Sequence, residues 1–275
     1  MSVELPTVFL SHGAGPSFYL DAKSNPFFKG LDKDSRAADF LRNFTKTADI
    51  SKPETVLVIS AHWEEKAVTV NTNSKHSLYY DYGGFPPETY KLDWPVLGSP
   101  EKAKKVVEAL NEAGIQCREN PTRGLDHGVF VPLKLVFPKA DVQVIQISLL
   151  RSMNIADHLA IGEALGRLRS QGVLIVGSGF ATHKGGTNGT PPPKWAVEFR
   201  DWLHDVISGE NYSPEERKVK LLACEKEAPN IARAHPSIEH FIPLLMCSAA
   251  AGYKPGKLML SEFHMGSLLN EHYLF

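Results

Sequence analysis

The sequence predicts an α/β fold of one domain, with a mostly parallel central sheet and helices on both faces. Three observations carry this expectation. Short apolar runs recur along the chain, helix-like segments alternate with them, and no repeat or long linker divides residues 1–275 into separate units. A strand buried on both faces is apolar almost continuously rather than at every second residue. Residues 7–10, 55–60, 142–148 and 173–176 have that character, rich in Val, Ile and Leu.

The helices announce their ends. Residues 99–113 open with Ser99-Pro100-Glu101, a capping side chain followed by proline at the first helical position, and close at Gly114. Residues 155–171 carry apolar side chains near a 3.6 period and stop at Gly172, and residues 194–207 behave alike and stop around Gly209. Two stretches rich in proline and glycine, 79–87 (YYDYGGFPP) and 185–193 (GGTNGTPPP), read as loops, and long loops in a compact domain are often functional.

Composition excludes several classes. With 43% apolar and 22% charged residues the chain can bury a substantial core, and a net charge of -1 offers no basic stripe for nucleic acid. Cys117, Cys224 and Cys247 stand far apart without a CxxC pair, so neither a disulfide framework nor a cysteine zinc site is expected, only reduced thiols. The opening MSVELPTVFLSHGAGP lacks the basic start and long apolar run of a signal peptide, and no segment approaches the ~20 apolar residues of a membrane span. The expected compartment is the cytoplasm. Small molecules are the expected partners, with no nucleic acid or membrane, and the protein is expected as a monomer or homo-oligomer.

The eleven histidines carry the functional signal through their positions. His12 follows TVFLS and precedes Gly-Ala-Gly-Pro, His62 follows TVLVISA, and His183 follows VLIVGSGFAT. All three are expected at or just beyond the carboxyl ends of strands, the edge where open α/β sheets bind ligands. His127 sits in RGLDHGVFVP, a glycine-flanked turn before another apolar run. A further contributor is expected from IARAHPSIEHFIPLL, which offers His235, Glu239 and His240 ahead of an apolar helix at 242–251, with His235 placed in the entering loop. One histidine at a strand end is usually a hydrogen-bonded structural residue. Four in matched positions point to a metal or acid–base centre, because neutral imidazole ligates zinc and iron without prior charge compensation. His76, His158, His204, His264 and His272 lack this context and are expected at the surface or in supporting positions, His158 and His204 on helix faces. The glycines of SHGAGP and GSGFATH do not match GxGxxG, and GxxxxGK[ST], HExxH and GxSxG are absent; Ser178 has no nucleophile elbow around it.

Six segments, SHGAGP, ISAHWE, DYGGFP, RGLDHGVFVP, GSGFATH and PSIEHFIPLL, resemble in order and spacing the class III extradiol ring-cleavage dioxygenases of LigB-like type, and most of all their DOPA 4,5-dioxygenase branch. The resemblance runs from residue 6 to 266. It implies metal ligation by His12, His62 and His240, with His183 in the metal set as a further ligand that some members use for acid–base work. It implies that His127 handles the substrate proton. Glu239 is the alternative to His240, since distant members ligate through a glutamate. The implied reaction uses iron(II) and O2 to open the ring of a catechol to a semialdehyde, and zinc, which takes the same nitrogens, is the inert occupant expected in purified protein. Tyr80 stands where the branch often has histidine, and Lys184-Gly185 follows His183 where plant members continue with proline. Both differences fall in loops able to line the substrate pocket, with Lys184 a candidate partner for a substrate carboxylate. A zinc hydrolase of an amide or phosphate, or a binding protein on the same fold, are the alternatives from other classes.

Overall fold

The structure is a computed structural model and describes residues 4–275. Its strands are β1 (Thr7–Ser11), β2 (Thr55–Glu65), β3 (Thr69–Asn71), β4 (Arg118–Asn120), β5 (Gln143–Leu150), β6 (Val173–Gly179), β7 (Lys257–His264) and β8 (Leu268–Leu274). Its helices are α1 (Arg36–Arg42), α2 (Phe44–Thr47), α3 (Pro100–Glu112), α4 (His127–Val136), α5 (Ile155–Gly166), α6 (Lys194–Ser208), α7 (Pro214–Leu222), α8 (Cys224–Glu227), α9 (Ile231–Ala234) and α10 (Ile242–Ala250). The strands form one eight-stranded sheet in the order β4-β3-β5-β2-β6-β1-β8-β7. Its centre, β5-β2-β6-β1, is parallel throughout, and antiparallel pairing appears only where β3 meets β5 and where β8 joins β1 and β7. This is the expected α/β architecture with helices on both faces.

The continuous apolar runs are explained by what covers them. Alternate residues of β2 and β6 fall into different clusters: Leu57, Ile59, Val173 and Ile175 pack on the side of α3, α5, α6 and α10, while Val56, Val58, Leu174 and Val176 face α1, α2 and α4. Fully burying each such side chain contributes about 1.5–3 kcal/mol. Ser99 caps α3 through the Lys102 backbone N–H, and Ser213 and Glu216 form a reciprocal capping box on α7.

The β7–β8 hairpin was not anticipated. Asn270, Glu271 and His272 interrupt the apolar pattern of β8, yet all three are buried. His158 and His272, expected at the surface or in supporting positions, are likewise fully buried. His158 satisfies both nitrogens locally: Nδ1 contacts the Asn154 carbonyl at 2.7 Å and Nε2 accepts from the Leu150 N–H at 2.9 Å. An imidazole with both nitrogens partnered is an acceptable core residue, which context in the sequence did not reveal. The three cysteines are free, Cys224 and Cys247 buried and Cys117 half-buried. Among the described residues no helix is long and apolar enough to cross a membrane.

Candidate metal centre

The parallel registers bring the strand tips to one edge. Ser11 pairs with Gly179 and Ser60 with Ser178, so the segments leaving β1, β2 and β6 at their carboxyl ends are neighbours. His12 leaves β1 immediately, and its N–H donates to the Gly179 carbonyl at 3.3 Å. His62 lies inside β2 rather than beyond it, because the strand continues to Glu65 through a register shift between Ile59 and Glu64. His240 precedes α10 and is held against β6: its carbonyl accepts from the Phe180 N–H at 2.9 Å. A β-carbon at Gly179 would stand 2.1 Å from that same carbonyl, so only glycine permits the approach.

His127 proves to be the first residue of α4 rather than part of a turn, and it is buried. The base of α4 is tied to β2 by Asp126, whose fully buried carboxylate accepts from Ser60 Oγ at 2.7 Å, from Gln146 Nε2 and from Arg123 at 3.3 Å. Gly128 lets the helix in, since a β-carbon there would lie 2.7 Å from Ser60 Oγ.

The nitrogens converge. His62 Nε2 lies 3.2 Å from His12 Nε2 and 3.2 Å from His240 Nε2. The opposite nitrogens are occupied by protein. Ser178 Oγ spends its hydrogen on the Gly128 carbonyl and therefore accepts from His12 Nδ1–H at 2.9 Å. Glu239 Oε1 accepts from His240 Nδ1–H at 2.8 Å, and Asp81 Oδ2 stands 3.7 Å from His62 Nδ1. With Nδ1 protonated, the Nε2 atoms of His12 and His240 present lone pairs toward His62, an arrangement that calls for a cation. Two bonds of about 2.1 Å from one ion, at an angle of about 100°, set two imidazole nitrogens about 3.2 Å apart, so the donor set fits a transition metal.

His127 and His183 flank this trio differently. The rings of His62 and His127 approach to 3.9 Å between centroids, and a ligating nitrogen of His127 stands with those of His12 and His62 in a group compact enough for an ion. His127 Nδ1, however, is bonded to Asp81 Oδ1 at 2.8 Å. His183 stacks flat on His240 at 3.5 Å and 16°, and its Nδ1 faces Glu239 Oε1 at 3.6 Å. His183, Glu239 and His240 form a second group of possible ligands.

Burial sets the protonation. It pushes His12 and His240 well below the usual imidazole range, reinforced for both by His62, while Glu239 pulls His240 the other way. His62 falls to about 4, burial outweighing Asp126 and Asp81. His183 is also lowered by burial, against Glu239. Burial would raise Glu239, yet its bonds to His240 and Ser237 bring it down to about 2. Asp81 is likewise lowered, its bonds to His127 overcoming burial. At neutral pH the trio is therefore uncharged and its supporting carboxylates are ionised, the state a cation requires.

The centre floors a cleft of about 200 Å³ whose walls include Ala14, Phe180, Met265 and Leu268. A second opening, about 450 Å³, reaches His62 and His240 from the side of Glu64 and Glu239. A groove of about 430 Å³ between Lys52 and Gln143 lies at the opposite, amino edge of the sheet, with no histidine in it. Of the expected site residues, His12, His62, His127, His183 and His240 gather here. His235 does not: it caps α9 and contacts the Ala181 carbonyl through Nε2 at 2.9 Å. Asp81, Asp126 and Ser178 were missed as site residues. Asp81 and Asp126 stood in view, inside DYGGFP and beside His127, but pairing across 46 and 66 residues has no local signal.

The chain matches the family model described as the catalytic LigB subunit of aromatic ring-opening dioxygenase over residues 6–271. It is 36% identical over 252 residues to a 4,5-DOPA dioxygenase extradiol of Beta vulgaris, covering 90% of this chain and 87% of that one. It is 27% identical to a protein of the same name from Escherichia coli strain K12, over 97% and 93% of the two chains. The crystal structure of an uncharacterized protein from Escherichia coli K12 superposes with a TM-score of 0.76 at 25% identity, covering 98% of this chain and 99% of the other.

Proposed function

The chain belongs to the family of the catalytic LigB subunit of aromatic ring-opening dioxygenases and is an extradiol ring-cleavage dioxygenase; from that premise we propose that it is iron(II)-dependent and opens a DOPA-like catechol to a semialdehyde. One observation carries the reading: the Nε2 atoms of His12 and His240 each lie 3.2 Å from that of His62, at the floor of an open cleft. In this reading His12, His62 and His240 hold the ion. His127 and His183 stand beside it as proton-handling groups, and Glu239 serves His240 rather than replacing it.

Iron(II), when bound, supplies the electron transfer between catechol and dioxygen that no side chain here can perform. The chain's own residues do the rest. Phe180, Met265 and Leu268 give the aromatic ring an apolar wall and keep water off it. His127, with Nδ1–H committed to Asp81, turns the Nε2 lone pair to accept a proton from a catechol hydroxyl, and the carboxylate stabilises the imidazolium that results. The His127 imidazolium can return that proton to oxygen as the ring opens, while His183, exposed at the rim and stacked on His240, can exchange protons with water. Both atoms of O2 enter the product, so no external reductant is needed. Because the chain is a ring-opening enzyme, the zinc-hydrolase and binding-protein readings have no feature left to support them.

The test is oxygen uptake by protein reconstituted anaerobically with iron(II), mixed with DOPA, caffeate and protocatechuate while the ring-opened product is followed by absorbance. Matched oxygen consumption and yellow product support the reading and rank the substrates. Silence across the panel with iron verified as bound contradicts the proposed substrate class, and equal turnover with zinc contradicts the redox role.

A further inference from the structure

The loop at 79–85 contributes one carboxylate that touches two of the five histidines. Asp81 Oδ1 accepts from the His127 backbone N–H at 2.9 Å and from its ring Nδ1 at 2.8 Å. Asp81 Oδ2 lies 3.7 Å from His62 Nδ1. The two oxygens thus face different histidines, one assigned here to proton transfer and one to ligation.

The loop is built to hold that carboxylate still. Tyr79 N–H donates to the Leu125 carbonyl at 2.7 Å and Leu125 N–H to the Ser77 carbonyl at 2.9 Å, stitching the loop to the segment that leads into α4. On either side of Asp81, Tyr80 Oη donates to the Leu92 carbonyl at 2.6 Å and Tyr82 Oη to the Thr89 carbonyl at 2.8 Å. The carboxylate is 11% exposed, so water competes little for it. Asp126 occupies the cap position of α4 but makes no capping bond, and Asp81 satisfies the first helical N–H from a separate loop.

We propose that Asp81 is the positioning residue of the reaction: its carboxylate fixes the tautomer and ring angle of His127, so that Nε2 faces the substrate, and ties that ring to His62. A donor at Nδ1 leaves a neutral imidazole with its only lone pair at Nε2, the atom a general base must present. The same carboxylate, 3.7 Å from His62 Nδ1, favours the proton on that nitrogen by charge alone, which leaves His62 Nε2 for the ion. The proton acceptor and the ligand therefore keep their separation through one group rather than through two independent supports. This inference rests on the proposed roles of His127 and His62.

Asp81→Asn tests it: the amide oxygen can still cap the α4 N–H. The charge that holds the His127 ring and stabilises its imidazolium is lost, and an amide NH2 replaces the oxygen facing His62 Nδ1. The expected result is a fall in kcat of about 10- to 100-fold with KM within about twofold and an unchanged melting temperature. Asp81→Ala should lose the cap as well and melt lower. An Asn variant turning over within about threefold of wild type overturns the proposal, as does a loss of activity that merely follows a loss of fold. A second readout needs no turnover: nitrogen NMR of the zinc-loaded wild-type protein should find His127 protonated at Nδ1, and protonation at Nε2 overturns the assignment. Wild-type protein inert toward every catechol, with the Nδ1 tautomer present, would sink the proposed substrate class while supporting the geometry assigned to Asp81.

Discussion

Two groups of histidines in this molecule differ in what their nitrogens face, and only one converges. At the carboxyl edge of the sheet, His12, His62 and His240 turn their Nε2 atoms toward one another and have protein acceptors or charges at Nδ1. Under α1, in the β7–β8 hairpin, His272 is as buried and is pushed down to about 3 by burial and by His264, yet its Nε2 faces no partner and its Nδ1 only accepts from the Ser11 N–H at 3.3 Å. Its ring stacks on Phe40 at 4.7 Å. Burial and a lowered pKa are common to both sets, so neither marks function. Convergence of lone pairs does, together with an open cleft above them.

The sharpest break in the comparison is His62→Ala, or equally His12→Ala. Either removes a nitrogen from the trio, and activity should fall more than 1,000-fold with loss of bound iron, read by metal analysis after desalting. Retained stoichiometric iron in either variant would show that the trio is not the holder. His127→Phe should keep the ion and lower kcat by about 100-fold, within the range a positioned acid or base contributes. Should His127→Phe instead lose iron, the compact group it forms with His12 and His62 would be the true ligand set.

A gentler change separates holding from ligating. Ser178→Ala removes the acceptor that fixes the His12 tautomer and should weaken metal affinity by about tenfold, measured by competition with a chelator, with the fold intact. Unaltered affinity would show that burial alone orients His12. The smallest effect belongs to the hairpin. The folded pKa of His272 lies below the unfolded value near 6.5, so the unfolded chain binds more protons in between. Its contribution is complete above pH ~6.5 and declines as pH falls toward about 3, at up to about 1.4 kcal/mol per unit. His272→Gln should flatten that slope in urea unfolding of the metal-free protein between pH 7 and 4.5 and leave turnover at pH 7 nearly unchanged. An identical slope would mean that His272 is protonated when folded.

Most of the sheet was legible because β1, β2, β5 and β6 are covered on both faces over most of their length and are therefore largely apolar rather than alternating. The hairpin was not, since buried Glu271 is hydrogen-bonded by Tyr273 within its own strand, by Ser261 across the hairpin and by His204 from α6, and the last two partners have no local signal. The same limit applies at the centre. The chemistry-bearing histidines stood out by their place after apolar runs, whereas Asp81 and Ser178, which decide the direction of two imidazoles, are recognisable only once the chain has folded. His235 shows the converse, since its sequence setting beside His240 is rich but its nitrogen contacts the Ala181 carbonyl, away from the trio.

The most direct test of the central claim is a crystal structure of the iron- or zinc-loaded protein with anomalous scattering to locate the ion. The account predicts one ion bonded to the Nε2 atoms of His12, His62 and His240, with His127 and His183 outside bonding distance. An ion held instead by His183, Glu239 and His240, or by a set that includes His127, would contradict it.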